Sequence, residues 1–270
     1  MIVGESQPRG WRSNWFATRG GQVPPALWAL HLALAVVVGS GLLVWVFTTL
    51  AHYRWDWAPV WEYREKFLRG WAMTVAIASA ALVLSTLIGI SAALLQRAPF
   101  LPLRAAAKVY VEVIRGTPLI VQALVLYFGV FQAFGLQSPF LSGVLILSIF
   151  SGAYIGEMIR AGIEGVGRSQ REAAAAVGFT RIQTYRFVIF PQAIRQILPP
   201  LAGQFASLIK DSSILSVIAI GEFTLNVREV SALTYSAFES YLPLAAGYFA
   251  LTLPISMVAR MLEEKFRYET

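Results

Sequence analysis

The sequence contains no cysteine. Disulfides, iron–sulfur clusters and thiolate catalysis are therefore excluded. Histidine is nearly absent too: His31 and His52 are the only 2 among 270 residues, too few for a histidine-rich metal site. No GxxxxGK(S/T) phosphate loop occurs, so the chain does not bind ATP by that mechanism. A catalytic triad, a metal cluster and a dinucleotide fingerprint are likewise missing, which argues against a membrane enzyme. What the chain has in quantity is apolar surface: 57% of its residues are hydrophobic and its mean hydropathy is +0.61. A soluble domain of this length is far more polar. Several apolar runs approach the roughly 20 residues that a helix needs to cross a bilayer. They are continuous rather than alternating, which excludes an outer-membrane barrel. The reading is an all-α polytopic membrane protein.

Six spans are predicted: Ala26–Leu50, Gly70–Leu95, Val109–Phe131, Phe140–Gly162, Leu201–Ile220 and Tyr241–Met261. The first apolar run starts only after a polar segment with Arg9, Arg12 and Arg19, unlike a cleavable signal peptide. The net charge of +7 would suggest nucleic acid in a soluble protein, but here the positive residues lie in loops between apolar runs. The N-terminal tail, the Gln96–Lys108 loop with Arg97, Arg104 and Lys108, the Gly165–Pro200 segment with Arg168, Arg171, Arg181, Arg186 and Arg195, and the C-terminus with Arg260, Lys265 and Arg267 all fall on one side. The positive-inside rule makes that side the cytoplasm. On the opposite side, Ala51–Arg69 balances Arg54, Arg64, Lys66 and Arg69 against Asp56, Glu62 and Glu65. Trp55, Trp57, Trp61 and Trp71 suit an interfacial aromatic belt there.

The most informative stretch is Ser169–Pro200, SQREAAAAVGFTRIQTYRFVIFPQAIRQILPP. Ser169 followed by Glu172 predicts a capping box, and Thr180 followed by Gln183 repeats it. Ala173–Ala176 are strong helix formers, and Gly178 is placed to stop the helix. Pro191, Pro199 and Pro200 punctuate the remainder of the stretch. The pattern predicts a short helix faced with alanine, whose register Arg171 and Glu172 can fix by charge. It fits a helix lying on the membrane or a surface that another protein approaches closely.

EAAAAVG (Glu172–Gly178) followed by IFPQAIRQILPP (Ile189–Pro200) resembles the EAA loop of ABC importer membrane subunits. IRGTPLIVQ (Ile114–Gln122), SGAYIGEMIRAGI (Ser151–Ile163) and LIKDSSILSVI (Leu208–Ile218) extend the likeness, closest to the histidine/glutamate/glutamine/arginine/opine permease group, over about Gly70 to Arg267. Ser169 stands where the family usually has Gly, Ser212 where it has Thr, and the first span is additional to the five-helix core. The resemblance implies a five-helix type I importer core at 70–262, an extra N-terminal helix at 26–50 after a cytoplasmic tail at 1–25, a periplasmic loop at 51–69, a coupling loop at 165–200 and a cytoplasmic tail at 263–270. It implies that the loop is a coupling helix, with Arg171, Glu172, Ala173, Ala174, Gly178 and Thr180 docking an ATPase. The implied partners are two ATP-binding cassette subunits, a second permease copy or related chain, and a periplasmic amino-acid-binding protein. ATP and Mg would be used by the ATPase and no cofactor held by this chain. Its place would be the bacterial inner membrane, both termini cytoplasmic.

Ionisable residues inside spans are costly and usually face a cavity or a partner. Arg115, Glu157, Lys210 and Asp211 are such residues, predicted at similar depth toward the cytoplasmic half. Mutual neutralisation is one reading: Arg115 with Glu112 on its own helix, and Lys210 with Asp211 or Glu157. A pathway for a polar amino acid is the other. Gly116, Thr117 and Pro118 break helix regularity beside Arg115, which is tolerated where backbone is buried in protein or lines water. Thr74, Gln122, Tyr154 and Ser212 complete the candidate solute pathway, each equally suited to an interhelical hydrogen bond. An ion-coupled secondary transporter would also explain hydrophobicity and buried charge, though not the EAA loop.

Overall fold

A computed structural model describes residues 25–266. The tail with Arg9, Arg12 and Arg19, and Arg267, lie outside the described residues. Contacts divide the chain between Trp55 and Asp56 into two units. The first contributes α1 (Pro25–Ala51), which carries no charged residue. Its hydroxyls are satisfied within the helix: Ser40 donates to the Val37 carbonyl at 3.1 Å, and Thr48 and Thr49 to that of Trp45 at 2.9 and 2.8 Å. Such internal bonding lets a hydroxyl sit in hydrocarbon without an unpaired donor.

The second unit opens with the short α2 (Ala58–Glu62) and then α3 (Arg64–Leu95). Next come α4 (Leu101–Gly116), α5 (Leu119–Phe131, π-helical from Val125) and α6 (Pro139–Glu164). After α7 (Arg168–Ala176) and α8 (Arg181–Thr184), a π-helical turn at Tyr185–Ile189 leads into α9 (Phe190–Asp211). A 3-10 turn (Ser212–Ile218), α10 (Phe223–Thr234) and α11 (Ala237–Phe266) complete the chain. No strand occurs among the described residues. Of these helices, α1, α3, α6 and α11 are long and apolar enough to cross a membrane alone.

The centre is the crossing of α3 and α6. Two helices in lipid gain nothing by hiding apolar side chains from each other, so close approach through small residues must supply the attraction. A Cβ on Gly89 would fall 2.7 Å from Ile155 Cγ2 and 2.9 Å from the Gly156 nitrogen, and one on Gly152 would fall 2.6 Å from Ile88 Cγ2. Ser148 donates across the interface to the Ala81 carbonyl at 3.3 Å. Contacts advance together along both helices, from Ile77 with Gly143 to Ala92 with Gly156, so α3 and α6 run parallel. Their C-terminal ends share one end of the bundle, where Arg97 meets Glu164 at 3.4 Å. The Gln96–Lys108 and Gly165–Pro200 loops therefore leave from the same end. Helix α9 runs antiparallel to α6, with Gly162 against Ile197 and Ser151 bonded to Gln204 at 3.2 Å.

Two sequence expectations change. The predicted span Val109–Phe131 is not one helix: α4 and α5 meet at 113°. Pro118 disfavours the α conformation at Thr117, which is extended (φ −123°, ψ 147°), and it lacks the N–H that would continue the helix. The predicted span Leu201–Ile220 is the second half of α9 joined to the 3-10 turn. Pro199 and Pro200 lie inside α9 instead of ending the segment before it. Both prolines forfeit backbone bonds, which packing on α6 and α11 tolerates.

At the other end, α10 packs on the start of α3. A Cβ on Gly70 would fall 2.9 Å from the Phe223 Cα. Glu222 caps α10, accepting from the Thr224 and Leu225 amides at 2.9 and 2.8 Å. It also accepts from the Tyr248 hydroxyl at 3.0 Å and from Thr74 at 3.4 Å. Burial pushes this carboxyl above the usual carboxylate range, opposed by those hydrogen bonds.

Candidate functional site

The break between α4 and α5 leaves carbonyls without helical partners, and nearby side chains take them up. The Gln122 amide nitrogen donates to the Ile114 carbonyl at 2.8 Å, the Thr117 carbonyl at 3.0 Å and the Thr117 hydroxyl at 2.7 Å. Thr117 in turn donates to the Val113 carbonyl at 2.8 Å. These two predicted pathway residues thus brace the elbow itself. The Gln122 carbonyl oxygen is buried with no hydrogen-bond partner among the described residues. A buried acceptor of this kind calls for a water or a ligand donor.

Arg115 ends α4 at this elbow. Its guanidinium lies 5.6 Å over the Tyr154 ring, and Nη1 reaches Glu157 Oε2 at 3.2 Å. Tyr154 and Glu157 are three residues apart on α6 and so share a face. The pairing foreseen between Arg115 and Glu112 does not form. Arg115 instead meets a carboxylate already held in place, because Arg160 grips Glu157 through Nε and Nη2, both at 2.9 Å. Arg160 also pairs with Glu164, which pairs with Arg97. Three guanidiniums and two carboxylates thus form one chain across α4, α6 and the α3–α4 loop, with a net positive balance. Beside it lies a cleft of ≈ 340 Å³ lined by Gln96, Lys108, Glu112, Glu157 and Arg160. Arg160 and Glu164 were not singled out from sequence, and Arg97 only as a loop cation. The signal was present in EMIRAGIE, where Arg160 stands three residues and Glu164 seven residues after Glu157.

The remaining pathway candidates lie elsewhere. The Gln204–Ser151 bond sets the register of α9, and at 1.5 Å per residue Lys210 lies about 9 Å beyond it while Glu157 lies about 9 Å on the other side. The expectation of similar depth fails because α9 starts at Phe190, earlier than foreseen. Neither Lys210 nor Asp211 forms an ion pair among the described residues. Lys210 is exposed, Asp211 half-buried, and Ser212 is buried with its hydroxyl on the Ile209 carbonyl at 2.8 Å. Thr74 belongs to the Glu222 cluster, where it also accepts from the Phe223 amide at 3.1 Å.

The alanine-rich helix forms as α7, but its start differs from expectation. Gly167 is the N-cap, which puts Ser169 inside the first turn, and no side chain caps the helix. Glu172 pairs instead with Arg168, one turn back, at 2.7 Å. The Thr180–Gln183 capping box is complete. Gly178 ends α7 in the left-handed region (φ +84°), with its amide on the Ala175 carbonyl and that of Phe179 on Ala174, a Schellman pattern. A Cβ at Gly178 would meet nothing within 4 Å in this chain, so the glycine is required there by conformation. Ala174 is buried, and Arg171 ties α7 to the end of α6 through the Ile163 carbonyl at 2.9 Å. Glu172, Ala173, Val177, Gly178 and Thr180 are exposed.

The family described as binding-protein-dependent transport system inner membrane component matches residues 85–268. The chain is 35% identical over 216 residues to the glutamine transport system permease protein GlnP of Escherichia coli (strain K12), covering 79% of this chain and 99% of that one. It is 32% identical to the arginine transport system permease protein ArtQ of Bacillus subtilis (strain 168), covering 74% and 92%. Among solved structures, an amino acid ABC transporter with histidines matches at 38% identity and TM-score 0.73, covering 79% of this chain and all of that one. The inward-facing MetNI methionine ABC transporter matches in fold, at 16% identity and TM-score 0.63.

Proposed function

The chain belongs to the family of binding-protein-dependent transport system inner membrane components, and from that membership we propose that it is the permease subunit of an ATP-driven importer of polar amino acids in the bacterial inner membrane. Two such subunits, identical or related, would pair and work by alternating access with two ATPase subunits and a periplasmic binding protein. The observation that carries the solute assignment is the charge chain at the α4–α5 elbow. An amino acid brings an ammonium and a carboxylate, and removing both from water is costly unless each finds a partner. The net positive balance around Arg115 suits the carboxylate. Glu157 and the unpartnered Gln122 oxygen suit the ammonium. The test is Glu157→Gln in reconstituted vesicles containing the whole transporter. Uptake should fall sharply while subunit assembly and basal ATP hydrolysis persist. Undiminished uptake across a range of amino acids would remove Glu157 from the solute path.

We take the exposed face of α7, with Glu172, Ala173, Gly178 and Thr180, as the surface that docks the ATPase. Arg171 and Ala174 would support it from behind. Its end of the bundle is the cytoplasmic one on this reading, because Arg97, Arg104, Lys108, Arg168, Arg171 and Arg181 gather there. Helices α9 and the α4–α5 pair would complete the membrane bundle beside α3, α6 and α11.

A further inference from the structure

The α2–α3 segment is rich in arginine and lysine at the end of the bundle opposite α7. Three cations lie in the first two turns of α3. Lys66 pairs with Glu229 at 2.6 Å and Arg69 with Glu65 at 3.4 Å. Arg64 pairs with no carboxylate among the described residues. It is nonetheless held in place: Nη1 donates to the Trp61 carbonyl at 2.8 Å, and the guanidinium lies 5.0 Å over the Trp61 ring.

Arg64 lines a groove of ≈ 440 Å³ built from four helices, within the ~300–1,000 Å³ range of ligand sites. Trp61 of α2, Phe67, Leu68 and Trp71 of α3, Phe223 of α10 and Pro243 of α11 form its apolar wall. The floor is rigid. Phe67 meets Phe223 edge to face at 6.4 Å, and Phe223 presses on α11 where only a glycine, Gly247, leaves room. Among the described residues, no acidic side chain lines the groove. From Leu68 an exposed strip of low relief continues down α3 through Ala72, Ala76 and Ser79 to Val83.

We propose that this groove binds an anionic phospholipid, its phosphate on Arg64 and one acyl chain along Leu68 and Ala72. The inference rests on the membrane reading but not on the solute assignment. A guanidinium held on an aromatic ring without an acid partner is suited to a phosphate. The apolar wall below it suits a chain rather than a soluble anion. With no acid in the lining, a headgroup that also carries an ammonium has no partner for it, which favours a phosphatidylglycerol-type lipid.

The test is native mass spectrometry of the full chain, delipidated and then titrated with phosphatidylglycerol, phosphatidylcholine or inorganic phosphate. Wild type should retain one phosphatidylglycerol in preference to phosphatidylcholine. Arg64→Gln should weaken that retention about tenfold or more, as expected for losing one charge-assisted hydrogen bond. Arg64→Lys should keep part of it, and Ala72→Trp should block the chain while leaving Arg64 in place. Equal retention by wild type and Arg64→Gln, with both equally heat-stable, would overturn the proposal. Displacement of the lipid by inorganic phosphate would also overturn it, showing a bare anion site. So would a photo-crosslinker at Leu68 that captures a second copy of the chain instead of lipid. None of these outcomes depends on uptake, so the lipid site and the solute reading fail separately.

Discussion

Replacing Gly178 separates two reasons for a glycine at the end of α7. The first is internal: at φ +84° an L residue with a Cβ is strained by ~1–2 kcal/mol. That shifts the local helix-end equilibrium by about 5- to 30-fold, in a turn that is exposed and remote from the bundle core. The second is external: the docked ATPase would leave no room for a side chain. Within the chain a Cβ at this position has open space for at least 4 Å, so the two reasons predict different outcomes. Asparagine tolerates the left-handed region better than other residues with a Cβ. Gly178→Asn should therefore leave the thermal stability of the isolated permease near wild type, whereas Gly178→Leu should lower it slightly. If α7 docks the ATPase closely, both variants should lose co-purification with the ATPase and ATP-dependent uptake. If both variants keep the ATPase bound and active, the docking assignment is wrong. If Leu fails where Asn succeeds, the glycine serves conformation only.

The same substitution should have opposite signs at two other glycines. Gly203→Ala in α9 meets open space and should raise stability by up to ~1 kcal/mol, whereas Gly89→Ala should cost ~1–3 kcal/mol, because the new Cβ meets the Gly156 backbone. Thermal unfolding in detergent ranks them, and equal stability would contradict the close crossing. Glu222 has its carboxyl raised by burial. Its contribution is present below the unfolded value and is lost as pH rises through the raised folded one. Stability measured over that window should decline with pH, and Glu222→Gln should flatten the decline. A reporter active only in the periplasm should work when fused after Glu62 and stay silent after Arg104. The reverse would invert the orientation.

The single spans were legible because membrane length and composition leave few alternatives. The run read as Ala26–Leu50 is α1 at Pro25–Ala51, and Phe140–Gly162 is α6 at Pro139–Glu164. Helix ends written in local chemistry also held, as at Thr180–Gln183 and Gly178. Ser169 is passed over because α7 starts two residues earlier, with Gly167 as N-cap, where Arg171 anchors it to α6. Prolines were ambiguous for a physical reason. Pro118 comes after a glycine and a threonine and breaks the chain, while Pro199 and Pro200 sit in a helix packed on both sides, where neighbours compensate for lost bonds. The charge cluster was half legible. Arg115 and Glu157 stand out as costly residues, but which partner each takes depends on where the neighbouring helices start, and the early start of α9 carries Lys210 away.

The placement of the cluster reflects how unequally the helices are joined. Contact between α3 and α6 is backbone-close at Gly89, Gly152 and Gly156, and packing of that density does not deform gradually. Helix α4 is held to α6 far more loosely. It has the Tyr110 hydroxyl on the Ile149 carbonyl at 2.6 Å, a small apolar cluster of Val111 with Ala92 and Ala153, and the Arg115–Glu157 pair at 3.2 Å. Glu157 and Tyr154 therefore stand on the rigid side of a seam and Arg115 on the side that ends in an elbow. Arg160 gives Glu157 two hydrogen bonds from its own helix, so the carboxylate stays fixed whether or not Arg115 is near. On the solute reading proposed above, a charged solute competing for Arg115 would act on one of the few joins between α4 and the core. Its binding energy would then be directed at the elbow instead of the α3–α6 scaffold.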